Sequence, residues 1–220
     1  MPGQAPSPGR ATGRFVTFEG GEGTGKSTQI RLLARHLEGA GHRVTVTREP
    51  GGTVMAEHIR SLLLMRGEAP FDPLAETLMH FAARADHLAH CIRPALADGR
   101  IVLCDRFTDS TRAYQGAGHG VSLARIDALD EMVTGATQPD LTLLLDVPPA
   151  VSRQRRAARD GAGGGDRYEA LADAFHARVA QGFSDLPARF PDRVARIDGS
   201  GTPEDVAARI AAVVAERLAI

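Results

Sequence analysis

Short apolar runs alternate along the chain with longer stretches whose apolar residues recur at helical spacing. Arg14 to Glu19 (RFVTFE) reads as a strand, and a glycine-rich turn follows it. Ser27 to Ala40 places Ile30, Leu33, Ala34 and Leu37 on one helical face. Arg43 to Thr47 is a second short strand, and Glu57 to Met65 and Leu74 to Ala97 read as helices. Arg100 to Cys104 (RIVLC) reads as a buried strand. Leu141 to Asp146 (LTLLLD) is another, its unbroken apolar run suiting a sheet covered on both faces. Arg193 to Ile197 is the last strand. The final helix starts at Thr202 as N-cap, with Pro203 at its first position and Asp205 three residues after the cap. Val206, Ile210, Val213, Val214 and Leu218 form its apolar stripe. Strand–helix alternation of this kind predicts an α/β fold: a five-stranded parallel sheet between two layers of helices.

Composition narrows the picture. A formal net charge of -1 argues against a chain that coats nucleic acid or a membrane surface. No apolar run approaches the roughly 20 residues that span a bilayer. The two cysteines, Cys91 and Cys104, have no paired spacing and read as free, buried thiols of a cytoplasmic protein. Residues 1–13 are rich in Pro, Gly and Ala and read as a disordered tail, leaving 14–220 as one domain. The segment Gly161 to Gly165 (GAGGG) reads as a mobile loop tip. None of the eight histidines shows metal-ligand spacing; His87 and His90 lie on a helix without an obvious carboxylate or cysteine partner and read as structural.

The chemistry begins at Gly20 to Ser27, GGEGTGKS, which fits G-x-x-x-x-G-K-[ST] between a strand and a helix. Glycines let the backbone turn its N–H groups around an anion, and the helix start adds free donors and a positive dipole end. Lys26 is the chain's single lysine among many arginines, as if a compact ammonium fits there and a guanidinium fork does not. It would neutralise the β- and γ-phosphates of ATP, and Ser27 would offer its hydroxyl to Mg²⁺. The strand ending in Asp105 supplies the expected second metal-side group.

Other P-loop classes fail on composition. A guanine-binding Asn-Lys-x-Asp motif cannot exist in a chain without asparagine and with its only lysine in the P-loop. Gly21 stands where partition-type ATPases carry a second lysine, and no LSGGQ-like segment is present. A small-molecule kinase remains. Such an enzyme must grip an acceptor phosphate, neutralise transition-state charge and exclude water. Three arginine-bearing segments answer: Phe81 to Arg84 (FAAR), Asp105 to Gln115 (DRFTDSTRAYQ), and Ser152 to Tyr168 (SRQRRAARDGAGGGDRY), the last with the composition of a closing lid.

The stretch Leu103 to Gln115, LCDRFTDSTRAYQ, resembles the signature segment of thymidylate kinases. So does the loop Arg48 to Thr53 (REPGGT), and FAAR and Asp166 to Glu169 (DRYE) sit where that family places base-binding and lid elements. The resemblance covers the chain from Arg14 onward. It implies a P-loop nucleoside-monophosphate-kinase-like domain with a lid at about 150–168, Mg²⁺ dependence, ATP as donor, dTMP as acceptor and a homodimer. Gly20, Gly21, Glu22, Gly23, Thr24, Gly25, Lys26, Ser27 and Thr28 would enclose the ATP phosphates. Phe81 would stack on thymine, Arg84 would bond the base edge, and Arg106 would hold the acceptor phosphate. Thr111 and Gln115 would lie by the base, and Tyr114 against the sugar. Arg48, Ser110, Asp166 and Tyr168 would complete the acceptor site, with Glu22 at the sugar or the metal shell. Thr24 stands where some members carry a transition-state arginine, so the resemblance implies the bacterial type, with Arg155 and Arg159 of the lid in that role. The alternatives are a kinase for another nucleoside monophosphate or for a deoxynucleoside.

Overall fold

A computed structural model of the chain describes residues 13–65, 71–148, 151–152, 168 and 171–220. The expected tail up to residue 12, most of the lid, and Arg155, Arg159 and Asp166 lie outside the described residues. Gly13, expected at the end of the tail, is held in place: its amide donates to the Leu96 carbonyl at 3.1 Å.

Five strands, β1 (Arg14–Glu19), β2 (Val44–Arg48), β3 (Ile101–Asp105), β4 (Leu141–Asp146) and β5 (Val194–Asp198), form one sheet in the order β2-β3-β1-β4-β5. All four pairings are parallel. Side chains alternate across the sheet, so β1 divides two cores. Val16 and Phe18 pack with Leu141, Leu143 and Leu145 of β4 under α1 (Lys26–Gly39) and the last helix, α9 (Pro203–Leu218). Phe15 points the other way, with Val102 and Cys104, against Leu88, Ile92 and Phe107. Thr202 caps α9 as expected, accepting from the Asp205 amide, while Asp205 accepts from the Thr202 amide.

The long helix expected over Leu74 to Ala97 is one run in three parts. α3 (Pro73–His87) passes through a π-helical turn, Leu88–Ile92, into α4 (Arg93–Ala97). Pro94 has no N–H to donate, and the wider turn just before it absorbs the missing bond. α2 (Val54–Leu64) packs against α3 and starts three residues earlier than the apolar pattern indicates, because Thr53 caps it from the Ala56 amide.

The chain after Asp105 holds elements the apolar pattern does not announce: α5 (Thr108–Thr111), a π-helical turn Arg112–Gly118, and α6 (Leu123–Thr134). The inward face of α6 is Ile126, Asp130 and Thr134, two of them polar, so it carries no apolar stripe to read. It is held by ions instead. Arg112 bonds Asp109 at 3.0 Å and Asp130 at 2.7 Å, and Arg193 of the opposite edge reaches Asp109. Burial would raise the Asp109 carboxyl, but the two guanidiniums hold it below the usual range. α7 (Asp173–Ser184) packs on the π-helical turn through Phe175, Val179 and Phe183, and α8 (Leu186–Arg189) leads into β5. No helix among the described residues is long and apolar enough to cross a membrane.

Candidate active site

The C-terminal ends of β1, β2 and β3 deliver Glu19, Arg48 and Asp105 to one edge of the sheet, where parallel α/β sheets bind ligands. A cavity of about 470 Å³ opens there. It is lined at one end by Glu22, Gly23, Gly25, Lys26, Ser27, Thr28 and Asp105, and at the other by His80, Arg84, Thr111, Gln115 and Tyr168.

The P-loop takes its shape from backbone that only glycine adopts freely. Gly20, Gly23 and Gly25 have φ of 130°, 75° and 96°, and a Cβ on Gly20 would sit 2.5 Å from the Leu145 carbonyl oxygen. No side chain caps the start of α1 and no acidic residue lies in its first turn, so the helix end keeps its affinity for an anion. Lys26 curls over the loop, donating to the carbonyls of Gly20 at 3.0 Å and Gly21 at 2.9 Å. Burial, and then the Arg106 charge, lower its ammonium from the usual range. Gly20, Gly21 and Thr24 shape the loop without lining the cavity; the Thr24 hydroxyl donates back to the Gly21 carbonyl.

Ser27 donates its hydroxyl to Asp105 Oδ2 at 3.0 Å. Asp105 Oδ1 is buried and has no hydrogen-bond partner. An orphaned carboxylate oxygen beside a hydroxyl, both hard oxygen donors, fits Mg²⁺. Among the described residues no three His, Cys, Asp or Glu side chains form a metal cage. Mg²⁺ needs none, since it usually binds through one or two protein oxygens, water and substrate phosphates.

Arg106 joins the two ends. Its backbone is left-handed, φ 69°, an unfavourable conformation for a side-chain-bearing residue. Its guanidinium donates to the Gly20 carbonyl at 3.1 Å, Ser110 Oγ at 2.9 Å, Tyr114 Oη at 3.2 Å and the partly buried Glu22 carboxylate. Beneath it lies Glu19, which the sequence reading missed. Glu19 accepts from the Phe107 amide at 2.8 Å and the Ser110 hydroxyl at 2.6 Å, fastening the start of α5 to β1. Burial, then Asp109, push this carboxyl up to about 7.

The far end departs from expectation at one ring. Phe81 is 2 % exposed and does not line the cavity; His80 does. The cause is helical phase. Residues four apart share a face, so His80 stands with Arg84 on the cavity wall, while Phe81 turns inward. Its ring lies 4.7 Å from the Arg84 guanidinium carbon, with the Phe107 ring on that group at 5.1 Å. Arg84 Nε donates to Glu49 Oε2 at 2.8 Å and Nη2 to Thr111 Oγ1 at 3.0 Å, while Nη1 is buried without a partner. Gln115 donates its amide to Glu76 Oε1 at 2.9 Å, which fixes which way the amide faces. Tyr168 Oη donates to the same oxygen at 2.7 Å and meets His80 Nε2 at 3.0 Å.

Arg48, Ser110, Thr111, Tyr114, Gln115 and Tyr168 all line the cavity. So does Arg60 of α2, which sequence reasoning passed over; it donates to the Pro50 carbonyl at 2.7 Å. His87 is also not the partnerless histidine expected, since Glu49, Thr47 and Cys91 surround its ring. Cys104 is buried, but Cys91 is only partly so.

The family model described as thymidylate kinase matches residues 18–210. The chain belongs to the thymidylate kinase family. It is 51% identical over 208 residues to the thymidylate kinase of Caulobacter vibrioides, covering 94% of this chain and 99% of that one. It is 50% identical over 204 residues to the thymidylate kinase of a Synechococcus strain, covering 93% and 95%. The crystal structure of thymidylate kinase from Ehrlichia chaffeensis superimposes with a TM-score of 0.74 at 34% identity, covering 92% of this chain and 99% of that chain. As a thymidylate kinase, this enzyme phosphorylates dTMP with ATP, and the readings with another acceptor are not favoured.

Proposed function

We propose that the two substrates meet along the single cavity, ATP phosphates in the P-loop and dTMP against α3 and α5. What carries this reading is that one cavity joins Lys26, Ser27 and Asp105 to Arg84, Thr111 and Gln115. Arg106 lies between them, hydrogen-bonded to both the P-loop and the signature segment, and would hold the acceptor phosphate with Arg48 and Arg60. The acceptor oxygen of a nucleoside monophosphate is ionised at neutral pH, so no general base is required. Lys26 and Arg106 position the reacting groups and neutralise charge. Ser27 and Asp105 would hold Mg²⁺, which when bound neutralises charge on the β- and γ-phosphates. Arg155 and Arg159 would supply the transition-state cation from the lid. The lid's entry is tied to the P-loop, since Ser152 Oγ donates to the Glu22 carbonyl at 2.7 Å. The enzyme would act in the cytoplasm in the supply of dTTP. It would work as a homodimer, a second copy covering Val54, Met55 and Leu62 on α2 and Leu78 on α3, all exposed apolar side chains.

The base would stack on His80 rather than on Phe81, with Tyr168 holding the imidazole in place. Stacking a base on a ring contributes about 1–3 kcal/mol where it has been measured. His80→Ala should therefore raise the dTMP KM about 5–150-fold, leave the ATP KM near its starting value, and barely move the melting temperature. Phe81→Ala should instead lose stability, about 3–5 kcal/mol for a buried ring, and weaken dTMP only through a loosened Arg84. Kinetics and thermal melts of the two variants check this. A His80→Ala enzyme with an unchanged dTMP KM would remove His80 from the base site.

A further inference from the structure

The guanidinium of Arg84 is held on nearly every side. Two rings flank it, Glu49 takes Nε, Thr111 takes Nη2, and the one nitrogen left without a partner is the buried Nη1. The direction of that last donor depends on the carboxylate that holds Nε. Glu49 is 5 % exposed and uses both oxygens: Oε2 accepts from Arg84, and Oε1 meets His87 Nδ1 at 3.0 Å. A carboxylate only accepts, so Nδ1 carries the proton. The other ring nitrogen, Nε2, meets Thr47 Oγ1 of β2 at 2.6 Å. His87 has no exposed surface and does not line the cavity. The REPGGT loop closes directly over it: a Cβ on Gly52, φ 86°, would fall 2.5 Å from His87 Nε2 and 2.5 Å from Thr47 Oγ1. A histidine clamped at both nitrogens, reaching a substrate-facing arginine through one carboxylate, has no packing reason to be a histidine.

We infer that His87 is a positioning residue for the acceptor: it fixes Glu49, and through Glu49 it aims Arg84 Nη1 at the acceptor's base. The inference rests on the reading of Arg84 as a base contact. It explains two residues of REPGGT at once, Glu49 as the bridge and Gly52 as the only residue that lets the loop pass the ring. The ionisable groups around the imidazole are Glu49 on the loop after β2, Cys91 one turn on along its own helix, and Arg84 beyond Glu49. Burial lowers the His87 imidazolium, but its bonds to Cys91 and Glu49 and the Glu49 charge win and bring it up to about 9. At neutral pH Glu49 therefore sits between two cations, each holding one oxygen. With one oxygen released, the carboxylate can swing about its last torsion, and Arg84 swings with it.

Groups that orient a ligating side chain matter nearly as much as the ligand, their loss costing about 10–100-fold in affinity at metal sites. Steady-state kinetics with ATP and dTMP should find the dTMP KM of His87→Ala raised about tenfold and the ATP KM unmoved. His87→Asn keeps an amide donor where Nδ1 was and should recover most of the loss. His87→Gln puts its donor at the Nε2 position, toward Thr47, and should not. In an Arg84→Met background the His87→Ala change should add nothing, because its effect passes through Arg84. A dTMP KM unchanged in His87→Ala overturns the inference. So does an effect that persists in full in the Arg84→Met background, which is the mark of a structural role. If the alanine variant fails to fold, the comparison of Asn with Gln decides, and equal behaviour of the two overturns the proposal. If Arg84→Met alone leaves the dTMP KM unchanged, the base-contact reading of Arg84 fails first. If Arg84→Met raises it and the His87 variants do not, only the present inference fails.

Discussion

Lys26→Ala is expected to lower kcat by about 10²–10³-fold, the scale of removing one preorganised electrostatic group from a reaction centre. The fold should survive, because Lys26 contributes only two hydrogen bonds to loop carbonyls and sits at the cavity wall. Its charge is the larger contribution. Burial has already stripped much of its water and lowered its ammonium, so the desolvation cost is met before ATP arrives. Lys26→Arg should be poor as well. The ammonium is enclosed by the carbonyls of Gly20 and Gly21, and the side chain is 7 % exposed, which leaves no room for a planar fork. An ADP-release assay with a thermal melt on each variant checks both statements. Turnover near that of the parent in Lys26→Ala would contradict the mechanism.

Arg106→Ala should lower kcat/KM for dTMP by a similar factor, about 10²–10³-fold. This guanidinium bonds the P-loop, Ser110, Tyr114 and Glu22 together, so its loss removes a cation and also uncouples the two halves of the site. Arg106→Lys should restore little, because one ammonium cannot reach four partners in the geometry of a planar fork. Stability should tell a separate story. Arg106 holds φ at 69°, so Arg106→Gly should be more stable than Arg106→Ala by about 1–2 kcal/mol while remaining as inactive. Urea unfolding and kinetics of the glycine and alanine variants separate the two effects. Equal stabilities would mean that the backbone bears no strain there.

What could be read from the sequence was whatever depends on local chemistry. The P-loop, the Asp105 strand end and the capped last helix each follow from a few adjacent residues, and the structure places them where that chemistry requires. The sheet was legible because its central strands β1, β3 and β4 are buried on both faces, and every strand boundary falls within a residue of the expected one. The wall of the acceptor site was not. Choosing between His80 and Phe81 takes the rotational phase of α3, which its packing against α2 and α6 fixes and no motif reports. Glu19, Glu49 and Glu76 look like ordinary surface charges in a sequence, yet all three are buried, and each finds its partners dozens of residues away. α6 stayed invisible because ions rather than an apolar stripe hold its inner face. α7 had a legible signal, Phe175, Val179 and Phe183 at four-residue intervals, that the apolar periodicity of the sequence carries.

The central claim is that dTMP is the preferred acceptor, its base read in the pocket formed by His80, Arg84, Thr111, Gln115 and Tyr168. The most direct measurement is kcat/KM for dTMP and dUMP at saturating ATP and Mg²⁺. The two acceptors differ by one methyl group, which an apolar pocket distinguishes by about 1–3 kcal/mol. The account predicts that dTMP is turned over about 10–200-fold more efficiently than dUMP. Equal efficiency with the two, or faster turnover of dUMP, would contradict it.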